Sequence, residues 1–371
     1  MKTTTLAAAA TLLSASAVTA LPRSPLRVSN AVAAAQATSK VKYAGLNIAG
    51  FDFGCGTDGT CTQTAANATD PMTIDNGAQG QMNHFVADDG LNAFRLPVGW
   101  QYLVAHKLGG DLDAANAAKY DALVQGCLTS GAELCIVDVH NYARWNGQII
   151  GQSEGGPTNE QFVSLWKQLA TKYKNETKVA FGVMNEPHDV PDVGKWADTV
   201  QAVVTAIRNA GATSQYVLLP GNDWTSAASF VSDGSAAALA KVTNPDGSTD
   251  GLIFDVHKYS DSDNSGTHTE CTTNNIDDAF SPLADWLREN NRTAINTESG
   301  GGNTESCEKL YCEQIEFLNK NADVFLGYTA WSAGGFDETY ELVQTPIKNS
   351  DGSYTDRALT QKCTVGAWKS A

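Results

Sequence analysis

The chain is 371 residues long, with 41 acidic against 25 basic side chains and a formal net charge of −16. That balance disfavours nucleic acid and anionic membranes as partners and leaves a neutral substrate open. After the first twenty residues no stretch approaches the roughly 20 consecutive apolar residues of a spanning helix, so a soluble product is expected.

Residues 1–20 combine Lys2, an Ala/Leu-rich stretch and the small residues Val18-Thr19-Ala20, which read as a secretory signal peptide cleaved after Ala20. Residues 21–40 are Ala/Ser-rich with two prolines and no amphipathic period, and are expected to form a flexible leader or pro-segment. Residues 41–371 are expected to form one catalytic domain. Export accounts for the cysteines. Cys55, Cys61, Cys127, Cys135, Cys271, Cys307, Cys312 and Cys363 are even in number and none lies in a CxxC pair, so four disulfides are expected and zinc is not. Their pairing is left open by the count alone. Sequons at Asn67, Asn175 and Asn291 are candidate glycosylation sites in the same compartment.

Short apolar runs recur near 42–49, 93–98, 133–140, 179–186, 216–221, 252–259, 293–299 and 325–332, giving eight strand candidates. Helical patterns fall between them. Tyr120, Leu123, Val124, Cys127 and Leu128 follow helical spacing, as do Phe162, Leu165, Trp166, Leu169 and Tyr173 behind a capping box of Thr158 and Gln161. Trp196, Val200, Val203, Val204 and Ile207 make a third stripe. Eight strand–helix units close into an α/β fold of the (β/α)8 TIM barrel type, with its active site at the C-terminal ends of the strands. An open doubly wound sheet is the alternative, but Gly45-Leu46-Asn47-Ile48-Ala49-Gly50 lacks the GxGxxG loop such a sheet wants.

Polar residues gather where the strands end: Arg95, His140-Asn141, Asn185-Glu186, His257 with Tyr259, Glu298, and Trp331. Each alone has an ordinary packing explanation, Arg95 as a buried ion-pair partner, the histidines and Trp331 as core, and a strand-end glutamate as a solvated turn residue. Six strands ending this way are improbable for packing alone, so one shared site is expected. Its centre is the pair Glu186 and Glu298. Two carboxyls, one protonated and one ionised, are what hydrolysis of a glycosidic bond requires.

In this order, Arg95, His140-Asn141, Asn185-Glu186-Pro187, His257-Lys258-Tyr259, Thr297-Glu298 and Trp331 resemble glycoside hydrolase family 5, retaining (β/α)8 enzymes. The stretches Asn47-Ile48-Ala49-Gly50-Phe51-Asp52-Phe53, Asn141-Tyr142-Ala143-Arg144-Trp145-Asn146-Gly147 and Met184-Asn185-Glu186-Pro187-His188 narrow the resemblance to secreted fungal endo-β-1,4-glucanases. The resemblance spans about residues 42–365. It implies Glu298 as nucleophile, Glu186 as acid/base and Asn185 as the partner of the sugar 2-hydroxyl. It further implies that Tyr259 and Arg95 hold Glu298 ionised, that His140 and His257 orient hydroxyls or the acid/base, and that Trp331 lies under the reacting ring. The disulfides it implies are Cys55–Cys61, Cys127–Cys135, Cys271–Cys307 and Cys312–Cys363.

Among the tryptophans, Trp166, Trp196 and Trp286 fall inside helical patterns and are expected in the core, whereas Trp100, Trp145, Trp224 and Trp331 follow strands and are candidates to line a cleft, Trp331 first, with loop packing the alternative for Trp145 and Trp224. Sugar rings present apolar C–H faces that flat aromatics suit. Two motifs are set aside. Gly151-Gln152-Ser153-Glu154-Gly155 matches a GxSxG elbow without the strand that must precede it, and Asp261-Ser262-Asp263-Asn264-Ser265-Gly266 imitates a calcium loop but carries Thr272 where the bidentate glutamate belongs. No metal or cofactor is therefore expected. The expected partner is a β-glucan, acted on outside the cell by a monomer. With neither a small cysteine-rich cellulose-binding module nor a Ser/Thr/Pro linker in view, soluble or amorphous glucan is the expected preference over crystalline cellulose. A mannanase or xyloglucanase on the same barrel, or an inactive glycan-binding barrel, are the competing readings.

Overall fold

The computed structural model describes residues 40–64 and 66–371. The proposed signal peptide and leader, up to residue 39, lie outside the described residues. Eight parallel strands close into a barrel: β1 (Tyr43–Ala49), β2 (Ala93–Val98), β3 (Leu134–Val139), β4 (Val179–Gly182), β5 (Val217–Pro220), β6 (Leu252–His257), β7 (Ala294–Glu298) and β8 (Phe325–Gly334). Neighbours in the barrel are neighbours in sequence, and β8 pairs with β1 to close it.

Side-chain alternation explains both faces of this sheet. Tyr43, Ala93, Leu134, Ile136, Ala180, Leu218, Ile253 and Ile295, from seven strands, pack together inside the barrel, with Leu326 of β8 against them. The alternate residues, such as Cys135, Val137 and Val139 of β3, join the larger core between sheet and helices. Because the period is two, Asp138 and His140 continue the inward face begun by Leu134 and Ile136. Asp255 and His257 likewise continue that of Ile253. The polar end of the barrel interior is thus written in the same alternation as its apolar plug.

Helices α1 (Ala78–Ala87), α2 (Ala114–Thr129), α3 (Asn159–Tyr173), α4 (Val193–Asn209), α5 (Ser235–Leu239), α6 (Ser281–Glu289), α7 (Glu305–Lys320) and α8 (Gly366–Ser370) follow the strands in turn. Asp113 caps α2 by accepting the N–H groups of Ala115 and Asn116, and the Thr158/Gln161 capping box starts α3 as the sequence implies. Trp166 and Trp196 bury the apolar stripes of α3 and α4, and their indole N–H groups donate to Val183 O (3.1 Å) and Pro220 O (2.8 Å). Each polar tip is thereby satisfied at a strand end.

The fourth strand is shorter than its apolar run. Its ladder ends at Gly182 and not at Glu186, because the Val183 carbonyl is taken by Trp166 and the chain turns inward, with Asn185 N–H donating to Val139 O (2.8 Å) and Glu186 at φ 40°. All four implied disulfides are formed. Cys55–Cys61 closes the loop after β1, Cys127–Cys135 ties α2 to β3, Cys271–Cys307 ties the loop after β6 to α7, and Cys312–Cys363 ties α7 to the C-terminal segment. Asn67, Asn175 and Asn291 are all exposed.

Candidate active site

Glu298 stands at the last position of β7, and a bulge decides where it points. Val256 pairs with Asn296 but the next residue, His257, pairs with Glu298, so β7 carries one residue more than β6 over this step. Strict alternation after Ile295 would turn Glu298 to the outer face. The extra residue brings its carboxylate to the inside, beside Thr297, which is the kind of re-aiming bulges perform near active sites.

Two donors hold that carboxylate. Tyr259 OH donates to Oε1 (2.6 Å) and Arg95 Nη1 to Oε2 (2.8 Å). Arg95 is fully buried and is shared further: Nη1 donates to Asn47 Oδ1 (3.0 Å), and Nη2 to Asn185 Oδ1 (2.5 Å) with Asp138 Oδ2 at 3.1 Å. Burial alone would lower the guanidinium pKa, but Asp138 and Glu298 outweigh it and hold the pKa above its ordinary value. Burial, with the Glu298 charge beside it, raises the Tyr259 phenol well above its usual range, so it stays a donor.

Glu186 has the opposite surroundings. Burial, and then the charge of Glu298, push its carboxyl well above the usual carboxylate range. An oxygen of each carboxyl and a ring nitrogen of His257 lie within 4.8 Å of one another. The hydrogen bonds assign the proton. Thr297 Oγ1 donates to Asp255 Oδ1 (2.5 Å), so it accepts from His257 Nε2 (3.0 Å). Burial, then Arg95 and His140, lower the His257 pKa well below its ordinary value, so the ring is neutral, with its hydrogen on Nε2 and a bare Nδ1. Nδ1 lies 2.8 Å from Glu186 Oε1 and can only accept there, which requires the protonated acid on Glu186. Burial also raises Asp255, at the far end of this chain, to about 7.

The remaining residues divide between the cleft and its supports. Asn185 gives its oxygen to Arg95, while its buried Nδ2 has no protein partner. His140 Nδ1 is held by Asp138 (2.8 Å), and its ring lies nearly parallel to Trp331 at 5.5 Å. Trp331 Nε1 donates to Tyr340 OH (2.8 Å). A cleft of about 710 Å³ is lined by Glu186, Glu298, His140, Tyr259 and Trp331 together with Tyr142, Trp224, Lys258, Tyr340 and the loop Asp263–Thr267. At its far side Trp224 is 38% exposed and stacks on His188 with 3.9 Å between centroids.

Trp100 and Trp145 require correction, for neither lines the cleft. Trp100 is fully buried and Trp145 is 7% exposed; they pack edge to face at 5.0 Å, with Trp100 also against Phe162. The small two-stranded ladder of Arg144–Trp145 with Gln148–Ile149 folds this loop back onto the core. Asn141 also sits behind the wall, accepting the Trp100 N–H (2.6 Å) and donating to Gln101 Oε1 (2.6 Å). A pair of substitutions separates wall from core: Trp145→Ala is expected to cost about 3 to 5 kcal/mol of stability with little change in KM. Trp224→Ala should raise KM with little change in Tm. Paired melting curves and Michaelis profiles read both.

Sequence reasoning did not single out Asp138, Asp255, Tyr142 or Tyr340, and it set most of the loop Asp263–Thr267 aside as an imitation of a calcium loop. Asp138 and Asp255 carry a usable signal, each lying two residues before a candidate histidine and therefore on its face of the strand. Gly266 places that loop. It has φ 69°, and a Cβ there would stand 2.7 Å from the Tyr259 ring, so only glycine lets the loop press on the phenol that holds Glu298.

A family model described as cellulase (glycosyl hydrolase family 5) matches residues 47–334. The chain is similar to endoglucanase EG-II of Hypocrea jecorina, 65% identical over 331 residues that make up 88% of this chain and 78% of the relative. Among solved structures it is similar to Cel5A (EG2) from Hypocrea jecorina (Trichoderma reesei), with TM-score 0.84, 63% identity and coverage of 88% of this chain and 98% of that one. It is also similar to XacCel5A solved in complex with cellopentaose, with TM-score 0.75, 30% identity and coverage of 89% and 99%.

Proposed function

The chain belongs to glycosyl hydrolase family 5, and from that premise we propose that it is a secreted, monomeric endo-β-1,4-glucanase that hydrolyses internal bonds of cellulose and related glucans with retention of configuration. The observation that carries this reading is the pair Glu186 and Glu298, with carboxyl oxygens within 4.8 Å, the first raised above the usual carboxylate range by burial and the second held by Arg95 and Tyr259. Retaining enzymes hold their carboxyls roughly 5 to 5.5 Å apart, against roughly 6.5 to 9.5 Å where a water must stand between them. The endoglucanase relatives and the cellopentaose-bound neighbour support a β-1,4-glucan chain in the cleft. Four disulfides support an oxidising compartment outside the cell.

In the first displacement Glu298 attacks the anomeric carbon while the C–O bond to the leaving sugar breaks and Glu186 gives its proton to the departing oxygen. A glycosyl ester on Glu298 results. Glu186, now a carboxylate, then takes a proton from water; the hydroxyl adds to the anomeric carbon and the Glu298 carboxylate leaves. The lack of a protein partner on Asn185 Nδ2 supports its binding the 2-hydroxyl, a contact that strengthens as charge develops at the ring. Arg95 and Tyr259 hold the nucleophile aimed between turnovers.

Two displacements predict that product appears first as the β-anomer by proton NMR, with viscosity of soluble cellulose falling early. Reducing ends should be released faster from soluble cellulose than from mannan, xyloglucan or laminarin. An initial α-anomer would overturn the mechanism, and a faster rate on another backbone would overturn the substrate.

A further inference from the structure

Outside the lining of the cleft, the end of α1 and the loop that leads into β2 meet the C-terminal segment around one imidazole. His84 is 8% exposed and its ring stacks on Tyr354 at 5.3 Å. Nδ1 of His84 donates to Asp88 Oδ2 at 2.7 Å and Nε2 faces two further carboxylates. Burial opposes the charge, but the hydrogen bonds to Asp356 and Asp88 outweigh it and raise the imidazole pKa to about 9, so a bound ion takes the place of the Nε2 hydrogen. Asp356 Oδ1 is 3.0 Å from Nε2, and Asp89 Oδ2 is 3.4 Å from it. The Asp89 and Asp356 side chains are 9% and 7% exposed. Asp89 Oδ2 accepts no hydrogen bond although it is buried and aimed at the cluster. Lys369 Nζ approaches the other oxygen of Asp89 at 3.5 Å and the Asp88 carbonyl at 3.0 Å, so His84 Nε2 is the one cation beside Oδ2 among the described residues.

We propose that His84 Nε2, Asp89 Oδ2 and Asp356 Oδ1 form a binding site for a divalent first-row transition-metal cation. One ligand atom from each of the three residues lies within 4.8 Å of the other two. Ligands roughly 2.0 to 2.2 Å from one ion stand roughly 3.0 to 3.5 Å apart, which is the spacing from Nε2 to each carboxylate. A histidine whose second nitrogen is held by a carboxylate is the usual support for such a ligand, and Asp88 supplies it. The ion meets the Asp89 oxygen that accepts no hydrogen bond and offsets the repulsion between Asp89 and Asp356. One imidazole with two carboxylates suits Zn²⁺ over the hard cations Ca²⁺ and Mg²⁺. Bound there, the ion ties the C-terminal segment to α1.

The test is calorimetric titration of chelator-stripped full protein with Zn²⁺, repeated with Ca²⁺. One equivalent of Zn²⁺ should bind and raise Tm, Ca²⁺ should not compete, and kcat on soluble cellulose should stay unchanged. Both His84→Ala and the near-isosteric Asp89→Asn should weaken binding at least tenfold; Asp89→Asn keeps the test valid should His84→Ala fail to fold. Absence of saturable Zn²⁺ binding in the unaltered protein would overturn the proposal. So would binding that inhibits turnover and persists in Asp89→Asn, or that is lost in His268→Ala, since either places the ion at another cluster.

Discussion

Glu298→Gln is expected to abolish turnover of every substrate, soluble glucan and aryl cellobioside alike, with kcat lower by on the order of 10⁵-fold or more. No glycosyl ester can form on an amide, so a better leaving group gives no relief. The fold should persist, because glutamine fills the same volume and its carbonyl can still accept from Tyr259 or Arg95. Cello-oligosaccharide should still bind, which calorimetry can establish alongside the activity assay. A sharper form of the experiment uses Glu298→Ala with added azide. The anion enters the vacated position, attacks from the same side as the lost carboxylate, and yields an α-glycosyl azide from an aryl β-cellobioside. Turnover of Glu298→Gln within tenfold of the unaltered protein would remove this residue from the nucleophile's role.

Glu186→Gln is expected to behave differently according to the leaving group. On cellulose chains the departing sugar oxygen needs a proton, and loss of the general acid should cost roughly 10² to 10⁴-fold. On an aryl cellobioside whose phenolate leaves unaided, the first displacement should survive and the ester should accumulate, since its hydrolysis still lacks the base. A burst of phenol followed by a slow steady state is the signature. The pH profile follows from the same residue. Burial and the neighbouring Glu298 raise the Glu186 pKa, and the first step needs its protonated form. Activity on cellulose therefore falls as pH rises through that raised value, placing the alkaline limb above the ordinary glutamate value of about 4.3. In Glu186→Gln that limb should vanish from the burst phase. An unchanged alkaline limb would mean that another group titrates there.

The eight-strand alternation was legible because every barrel strand is buried on both faces and reads as a nearly continuous apolar run. Ends were less legible. The run 179–186 reads as one strand, yet its last four residues leave the ladder, a choice made by the Trp166 indole from another element. Glu186 and Glu298 could be found as residues that end apolar runs, but the bulge that aims Glu298 could not, since it exists only in the pairing of β7 with β6. Trp145 shows the same limit. It follows a strand in sequence as Trp224 does, and only the fold-back of its loop onto Trp100 and the core separates a wall from a filler. The relay from Asp255 through Thr297 to His257 was half legible: the period of two puts Asp255 and His257 on one face, while Thr297 joins them from the neighbouring strand.

The contact between Gly266 and the Tyr259 ring bears on how this scaffold can diversify. Loops at the mouth of such a barrel are ordinarily the interchangeable part, free to change shape while the strands keep the chemistry. Here one stretch of the rim, Asp263–Thr267, leans with its backbone on the phenol that positions Glu298. Changing the length or conformation of that stretch to suit a branched or shorter glucan also moves the nucleophile's donor, so selectivity and rate are inherited together along this edge. The rim that carries Trp224 and His188 is tied to the reaction centre through main-chain bonds, Trp224 N–H to Pro187 O and Ala227 N–H to His257 O, so side-chain preferences can change there while the backbone that carries Glu186 and His257 stays as it is.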